Sequence, residues 1–313
     1  MNLFVSLKYL LALDDHRHFG RAALACHVTQ PALSNAIKAL EKSFGAAIVV
    51  RGRNFGGFTA EGERILASGR RILHEHELLE QDLRGSAGAP RGNLVIGAVP
   101  TAMPIAARFA AALQDRHPGI VPTVRSMSSV ELEARLESMA IDIGLGYPER
   151  QDGSRSPLRT VAQYSERYFL LRKTDRADDT LRIGPAMSWK DAAAFPLCLM
   201  SPEMHNRTVL DRAFAQAGVR PVAAIETNSI LTLALSVVAG RVSSIMPGAL
   251  VAAVKNYRGL EARPLIAPRV EVPIAFMTHD GSRPSRTLEA ALAFARDPAW
   301  LEQVAQHAGT LGN

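Results

Sequence analysis

The stretch from Phe19 to Phe44, FGRAALACHVTQPALSNAIKALEKSF, limits most strongly what this chain can fold into. It predicts two short helices joined by a tight turn. The first is built on small residues, Ala22, Ala23 and Ala25 around Leu24, which let a second helix cross close by. His27, Val28 and Thr29 make the turn, and Thr29 has the chemistry of an N-cap. Pro31 falls in the first turn of the next helix, where its missing N–H costs nothing. Leu33, Ile37, Leu40 and Phe44 then recur as one apolar stripe facing a core. The opposite side carries Gln30, Ser34, Asn35, Lys38 and Lys42. Short polar groups for base edges followed by lysines for phosphates are what a recognition helix in a major groove requires. An ordinary amphipathic helix pair with a solvated polar face would show the same stripe.

What surrounds this stretch bears on the choice. Residues 1–58 hold seven basic and three acidic residues, so +4 of the chain's formal +6 lies in its first fifth, where phosphate contact would need it. Ile48–Phe58 is β-rich and broken by Gly52, Gly56 and Gly57, which suits a β-wing with Arg51 and Arg53 near its tip. A solvated loop with two surface arginines is the plain alternative. Thr59 opens a long helix reaching about Arg84, with Glu61 and Glu63 in its first turn. Ile65, Ile72 and Leu79 are spaced by seven, with Leu66, Leu73 and Leu83 beside them, a stripe that calls for a partner helix. His74 and His76 invite a metal reading, but on a helix they point roughly 200° apart, and no metal site is expected.

TQPALSNAIKALEKSFG resembles the signature of LysR-type transcriptional regulators. Leu7, Tyr9, Leu10, Ala12 and Leu13 are similar to the family's first helix, and IVVRGRNFGGFTAEGERIL (48–66) to its wing and linker. Asn35, Ala36 and Asn54 depart from residues common in the family, which affects the base sequence preferred rather than the mode of binding. The resemblance implies an antiparallel dimer of linker helices, assembly to a homodimer or homotetramer, and contact with RNA polymerase. The whole sequence further resembles members encoded beside formate dehydrogenase operons, which would make formate or a similar small carboxylate the effector.

Gly85–Gly92, GSAGAPRG, reads as a linker, and strands alternate with helices beyond it. Expected strands are Asn93–Ala98, Ile120–Ser126, Ile141–Tyr147, Arg159–Tyr164, Arg167–Arg172, Leu197–Met200, Val222–Glu226, Ser243–Met246 and Val270–His279. Two α/β units joined by two crossing strands resemble the effector domains of the family. The fold class is then an all-α winged helix-turn-helix with a linker helix, followed by an α/β domain of two Rossmann-like subdomains, periplasmic-binding-protein-like, type 2. The corresponding limits are 1–58, 59–88 and 89–313, with subdomain I at about 93–163 and 269–300 and subdomain II at about 164–268.

In such units ligands bind beyond the carboxyl ends of strands, at helix starts. Pro100 and Thr101, Ser128 and Ser129, Met200 and Ser201, and Asn228 lie at four such points and are the expected effector-binding residues. Singly each is what an N-cap looks like; as a set they favour a compact monoanion held by neutral donors. His205 and Arg207 read as surface residues of a helix, and Asp142 as structural. The common catalytic and phosphate-binding motifs are missing, so no catalytic residue and no cofactor is expected. Two cysteines far apart, Cys26 and Cys198, fit a reducing compartment; no run of a membrane span's length is seen, and the cytoplasm is expected. The expected partners are therefore double-stranded promoter DNA, a small anion and further copies of the chain, with no membrane. The competing class is a small-molecule binding protein or enzyme whose N-terminal helices serve assembly only.

Overall fold

The computed structural model describes residues 2–50, 52, 55–83, 89–149, 158–174, 180–280 and 283–308. It divides into two units, Met1–Gly88 with Ser138–Ala140, and Ala89–Glu137 with Ile141–Asn313. The first unit begins with three helices, α1 (Leu3–His16), α2 (Phe19–Ala25) and α3 (Gln30–Phe44). Asn2 caps α1, and the His18 ring accepts from the N–H groups of Gly20 and Arg21 to start α2. His27, at φ 55°, turns the chain toward α3. The Thr29 hydroxyl accepts from Ala32 N at 3.3 Å, and Gly45, at φ 63°, ends the helix in the left-handed region. Leu33, Ile37 and Leu40 bury their stripe with Leu7, Leu10, Leu13, Ala22 and Ala23.

The Glu41 carboxylate carries the chain onward by accepting from Ile48 N and Val49 N at 2.9 and 3.3 Å. A single antiparallel bridge, Val49 to Phe58, is what the described residues show of a wing. Arg51 and Arg53 lie outside the described residues. The long helix α4 (Ala60–Leu83) follows. A Cβ on Gly62 would sit 2.2 Å from the Ile48 carbonyl oxygen, so only glycine lets α4 pass there. The expected stripe on α4 divides: Leu66 is buried, Ile65 and Leu73 pack on the three-helix core, and Ile72, Leu79 and Leu83 face outward. Asp14 and Arg70 form a buried ion pair between α1 and α4, to which Arg17 adds a second guanidinium at 2.7 Å.

The second unit holds β1 (Gly92–Ala98), α5 (Met103–Arg116), β2 (Ile120–Ser126), α6 (Ser129–Glu137) and β3 (Ile143–Gly146) in parallel alternation. Then come β4 (Arg159–Lys173), the short β5 (Arg182–Ile183) and β6 (Met187–Ser188), and α7 (Trp189–Ala192). They are followed by β7 (Leu197–Met200), α8 (His205–Gln216), β8 (Ala223–Thr227), α9 (Ile230–Val238) and β9 (Ser243–Pro247). The described chain closes with α10 (Gly248–Ala253), β10 (Leu260–Ile266), β11 (Glu271–Thr278), α11 (Arg286–Phe294) and α12 (Pro298–Ala308). The strands run β2-β1-β3-β11-β4-β9-β7-β8, with β10 pairing β4.

One half is therefore built on β2, β1, β3 and β11, the other on β9, β7, β8 and β10, and β4 belongs to both. The two strands expected at Arg159–Tyr164 and Arg167–Arg172 are this one strand of fifteen residues. Ser165 and Glu166 interrupt its apolar pattern, yet Glu166 is fully buried. β10 went unread because Glu261, Arg263 and Pro264 disguise it; Glu261 is buried on an ion pair with Arg172 at 2.7 Å and on Arg182. The first half packs around Phe109, Phe276, Phe294 and Trp300, and the second around Trp189 and Phe214.

Candidate DNA interface and effector cleft

On α3 the periodicity leaves one face for contact. Thr29, Gln30, Pro31, Asn35 and Lys38 are exposed and Ser34 is half-buried, opposite the buried Leu33, Ile37 and Leu40. A groove of about 420 Å³ runs between this face and the loop after α3, lined by Gln30, Ser34, Lys38, Val50 and Phe55. Phe55 is held edge-on against Phe19 and Phe58, so apolar contacts support the loop. The helix thus presents an amide, a hydroxyl, a second amide and an ammonium in sequence.

In the second unit the expected effector residues lie at strand ends, in two pairs of neighbours. Met127 N donates to Ala98 O at 3.0 Å, which sets the start of α6 beside the turn after β1. Ser201 N donates to Thr227 O at 2.9 Å, which does the same for β7 and β8. Ser128 caps α6 by accepting from Glu131 N, and Ser129 is half-buried in its first turn. Pro100 and Thr101 form a short 3-10 turn rather than a helix cap, and Thr101 is buried. Ser201 is not a cap either: Met204 N closes a turn on its carbonyl, so α8 starts only at His205. Ser229 caps α9, leaving Asn228 exposed, while Met200 is buried.

The bonds that join the two halves run from Thr101 through four side chains that the sequence does not single out, Tyr147, Glu166, Tyr168 and Asn206. The hydroxyls of Thr101 and Tyr147 lie 2.9 Å apart. Tyr147 and Tyr168 donate to Glu166 Oε2 at 3.3 and 3.2 Å, and Asn206 Nδ2 donates to the Tyr168 hydroxyl at 3.4 Å. Burial pushes the Glu166 carboxyl up to about 7 against the pull of these hydrogen bonds. It also raises the phenols of Tyr147, Tyr164 and Tyr168 well above their ordinary value, with Glu166 adding to the effect. Tyr-x-Glu-x-Tyr at 164–168 was the available signal, since two-residue spacing on a strand puts all three on one face.

His205 and Arg207 are not surface residues. His205 is buried and stacked on the Tyr147 ring at 4.2 Å, and burial, with Arg212 nearby, lowers its pKa to about 4. The Arg207 guanidinium, 12% exposed, binds Met200 O, Glu226 and Asp211 at 2.8–3.0 Å. Asp142 accepts from Val95 N at 2.6 Å, a structural bond. Among the described residues no three His, Cys, Asp or Glu side chains gather as metal ligands, and no helix is long and apolar enough to cross a membrane.

Fold and surfaces together define a helix-turn-helix protein that carries a two-lobed α/β ligand domain. The chain belongs to the LysR family: its bacterial regulatory helix-turn-helix model matches residues 4–63 and its LysR substrate binding domain matches residues 87–299. The hydrogen peroxide-inducible genes activator of Dickeya chrysanthemi is 33% identical over 140 residues, 44% of this chain and 46% of that protein. The chain thus matches less than half the length of such relatives. The regulator CfxR of Cupriavidus necator is 27% identical over 250 residues, 77% of this chain and 74% of that one. A full-length OxyR variant from Pseudomonas aeruginosa superposes with a TM-score of 0.70 at 22% identity, over 93% of this chain and 96% of that one. CbnR in complex with its target DNA gives 0.62 at 23% identity, over 93% and 99%. At these identities the likeness to solved structures is one of fold.

Proposed function

We propose that this protein regulates transcription by binding double-stranded promoter DNA, and that a small anionic effector between the halves of its second unit modulates the binding. The observation that carries the reading is the polar face of α3, exposed while its apolar stripe is buried. Thr29 and Pro31 set the start of the helix; Gln30, Ser34 and Asn35 meet base edges; Lys38, with Arg51 and Arg53 taken from the sequence alone, meets phosphate. The effector contacts are Pro100, Thr101, Ser128, Ser129, Met200, Ser201 and Asn228, and a compact monocarboxylate, formate included, is the ligand class. Residues 1–58, 59–88 and 89–313 serve as DNA-contact, linker and effector segments. Dimers form through the outward Ile72, Leu79 and Leu83 of α4, tetramers through further contacts, and the complex meets RNA polymerase in the cytoplasm.

The names of the first relatives speak of hydrogen peroxide. A thiol sensor needs an accessible cysteine of low pKa, whereas burial raises both Cys26 and Cys198. A binding protein with N-terminal helices for assembly only is the competing reading. Gel shifts on promoter fragments at rising salt decide between them. The regulator is expected to bind specifically and to weaken steeply as salt rises. A chain that assembles normally but binds no promoter DNA even at low salt would overturn it.

A further inference from the structure

Glu166 sits on the strand common to both halves, and none of it reaches solvent. Its Oε2 is held by Tyr147 and Tyr168. Its Oε1 has no hydrogen-bond partner among the described residues, and neither have the Tyr164 hydroxyl and His205 Nδ1. Buried polar atoms in that state are rare, and each asks for an explanation. The Tyr164 hydroxyl lies two residues from Glu166 on the same face of β4, and these two unpartnered groups suggest a common ligand.

The charges around Glu166 narrow what that ligand is. Its own strand offers the phenols of Tyr164 and Tyr168, the end of β3 offers Tyr147, and the turn after β1 offers the Thr101 hydroxyl. β11 places Val272 opposite Glu166 and β9 places Pro247 opposite Tyr168, neither of which titrates. From α8 come Asn206, and His205, which is neutral at pH 7. Arg212, Glu149, Arg269 and Glu271 line a separate groove of about 320 Å³ beside the Tyr147–His205 stack. No lysine or arginine bonds to the Glu166 carboxyl among the described residues. An ionised carboxylate here would be a buried charge without a counter-ion, far costlier than a neutral acid. The neutral acid has an O–H to give. The twelve-residue helix α8 starts in the same corner with no side chain capping it, its positive end toward the network through Asn206.

Resting on the anion-binding reading above, we propose that the cleft takes a small monocarboxylate together with one proton. Glu166, as the acid, donates its O–H to an oxygen of the anion, and the Tyr164 hydroxyl is the second donor. The proton comes from solvent, no bond to carbon changes, and the acid–anion pair carries a single negative charge. Burial, which holds the acid at about 7, makes proton uptake necessary only above neutral pH.

Isothermal titration of the full chain with sodium formate and sodium acetate, from pH 5.5 to 8.5 in buffers of different ionisation enthalpy, tests this. Affinity is expected to be level up to about pH 7 and then to fall tenfold per pH unit, with one proton taken up per anion. Glu166→Gln, which keeps the shape and the N–H donor, should bind without pH dependence. Should that variant not fold, the proton count of the wild type decides alone. Wild-type binding with level affinity and no proton uptake across the range would overturn the proton link and leave the anion site standing. Absence of binding to both salts at pH 5.5 would remove both. Displacement by methylammonium, with affinity rising with pH, would mean a cationic ligand and overturn the proposal.

Discussion

Glu166→Gln should make the second unit more stable at pH 8 and leave it nearly unchanged at pH 4. The carboxyl lies at about 7 in the fold and at 4.5 as an ordinary glutamate, a difference of 2.5 units. Because the folded value is the higher one, the folded state holds the proton more tightly. The stabilisation this brings is fully present below about 4.5, is lost as pH rises toward 7, and changes no further above that. At about 1.36 kcal/mol per unit, the wild type gives up about 3 kcal/mol across the window. Glutamine keeps an oxygen for Tyr147 and Tyr168 and never ionises, so it gives up nothing. Both tryptophans, Trp189 and Trp300, are buried in the second unit, one in each half. Urea denaturation followed by tryptophan fluorescence therefore reports on the right unit. The stability difference between variant and wild type, measured at pH 4, 5, 6, 7 and 8, should grow from near zero to about 3 kcal/mol in favour of glutamine. A difference that stays constant over the range would refute the burial argument, whatever the absolute stabilities.

Lys38→Ala should weaken binding to all DNA sequences alike and reduce the salt slope by about one; an unchanged slope in a filter-binding titration would take Lys38 off the phosphates. Ile72→Asp places a charge on the outward face of α4, and light scattering should show loss of the dimer; wild-type mass would move the dimer contact elsewhere. Asp14→Ala leaves Arg70, 10% exposed, without its buried partner, at a cost of about 3–5 kcal/mol by urea denaturation followed by far-UV circular dichroism. A loss below about 1 kcal/mol there would mean that water or another group replaces Asp14.

Much of the first unit was legible because its signals are local. Thr29, Pro31 and Gly45 start and stop α3 within one turn of themselves, and the 3.6-residue period of Leu33, Ile37 and Leu40 tells which side is buried. The α4 stripe misled in part, because spacing alone cannot say which rows meet α1 and which stay outward. Strands of the first half announced themselves by apolar runs, whereas β10 and the middle of β4 hid theirs behind buried glutamates.

The candidate cleft divides along the same line. Strand ends can be read from sequence, but of the expected helix caps there Ser128 holds that place whereas Thr101 and Ser201 do not. The Glu166 network could not be read, since Thr101, Tyr147, Tyr168 and Asn206 come from four separate segments and only the sheet order puts them together. The sequence alone settled the helix-turn-helix, its polar face and the alternation of strands and helices, because those rest on periodicity and caps within a few residues. The tertiary structure alone decided that β4 passes through both halves and that a glutamate on it is sealed from water among tyrosines. Burial and counter-charge belong to a place in the fold, and no local pattern encodes them.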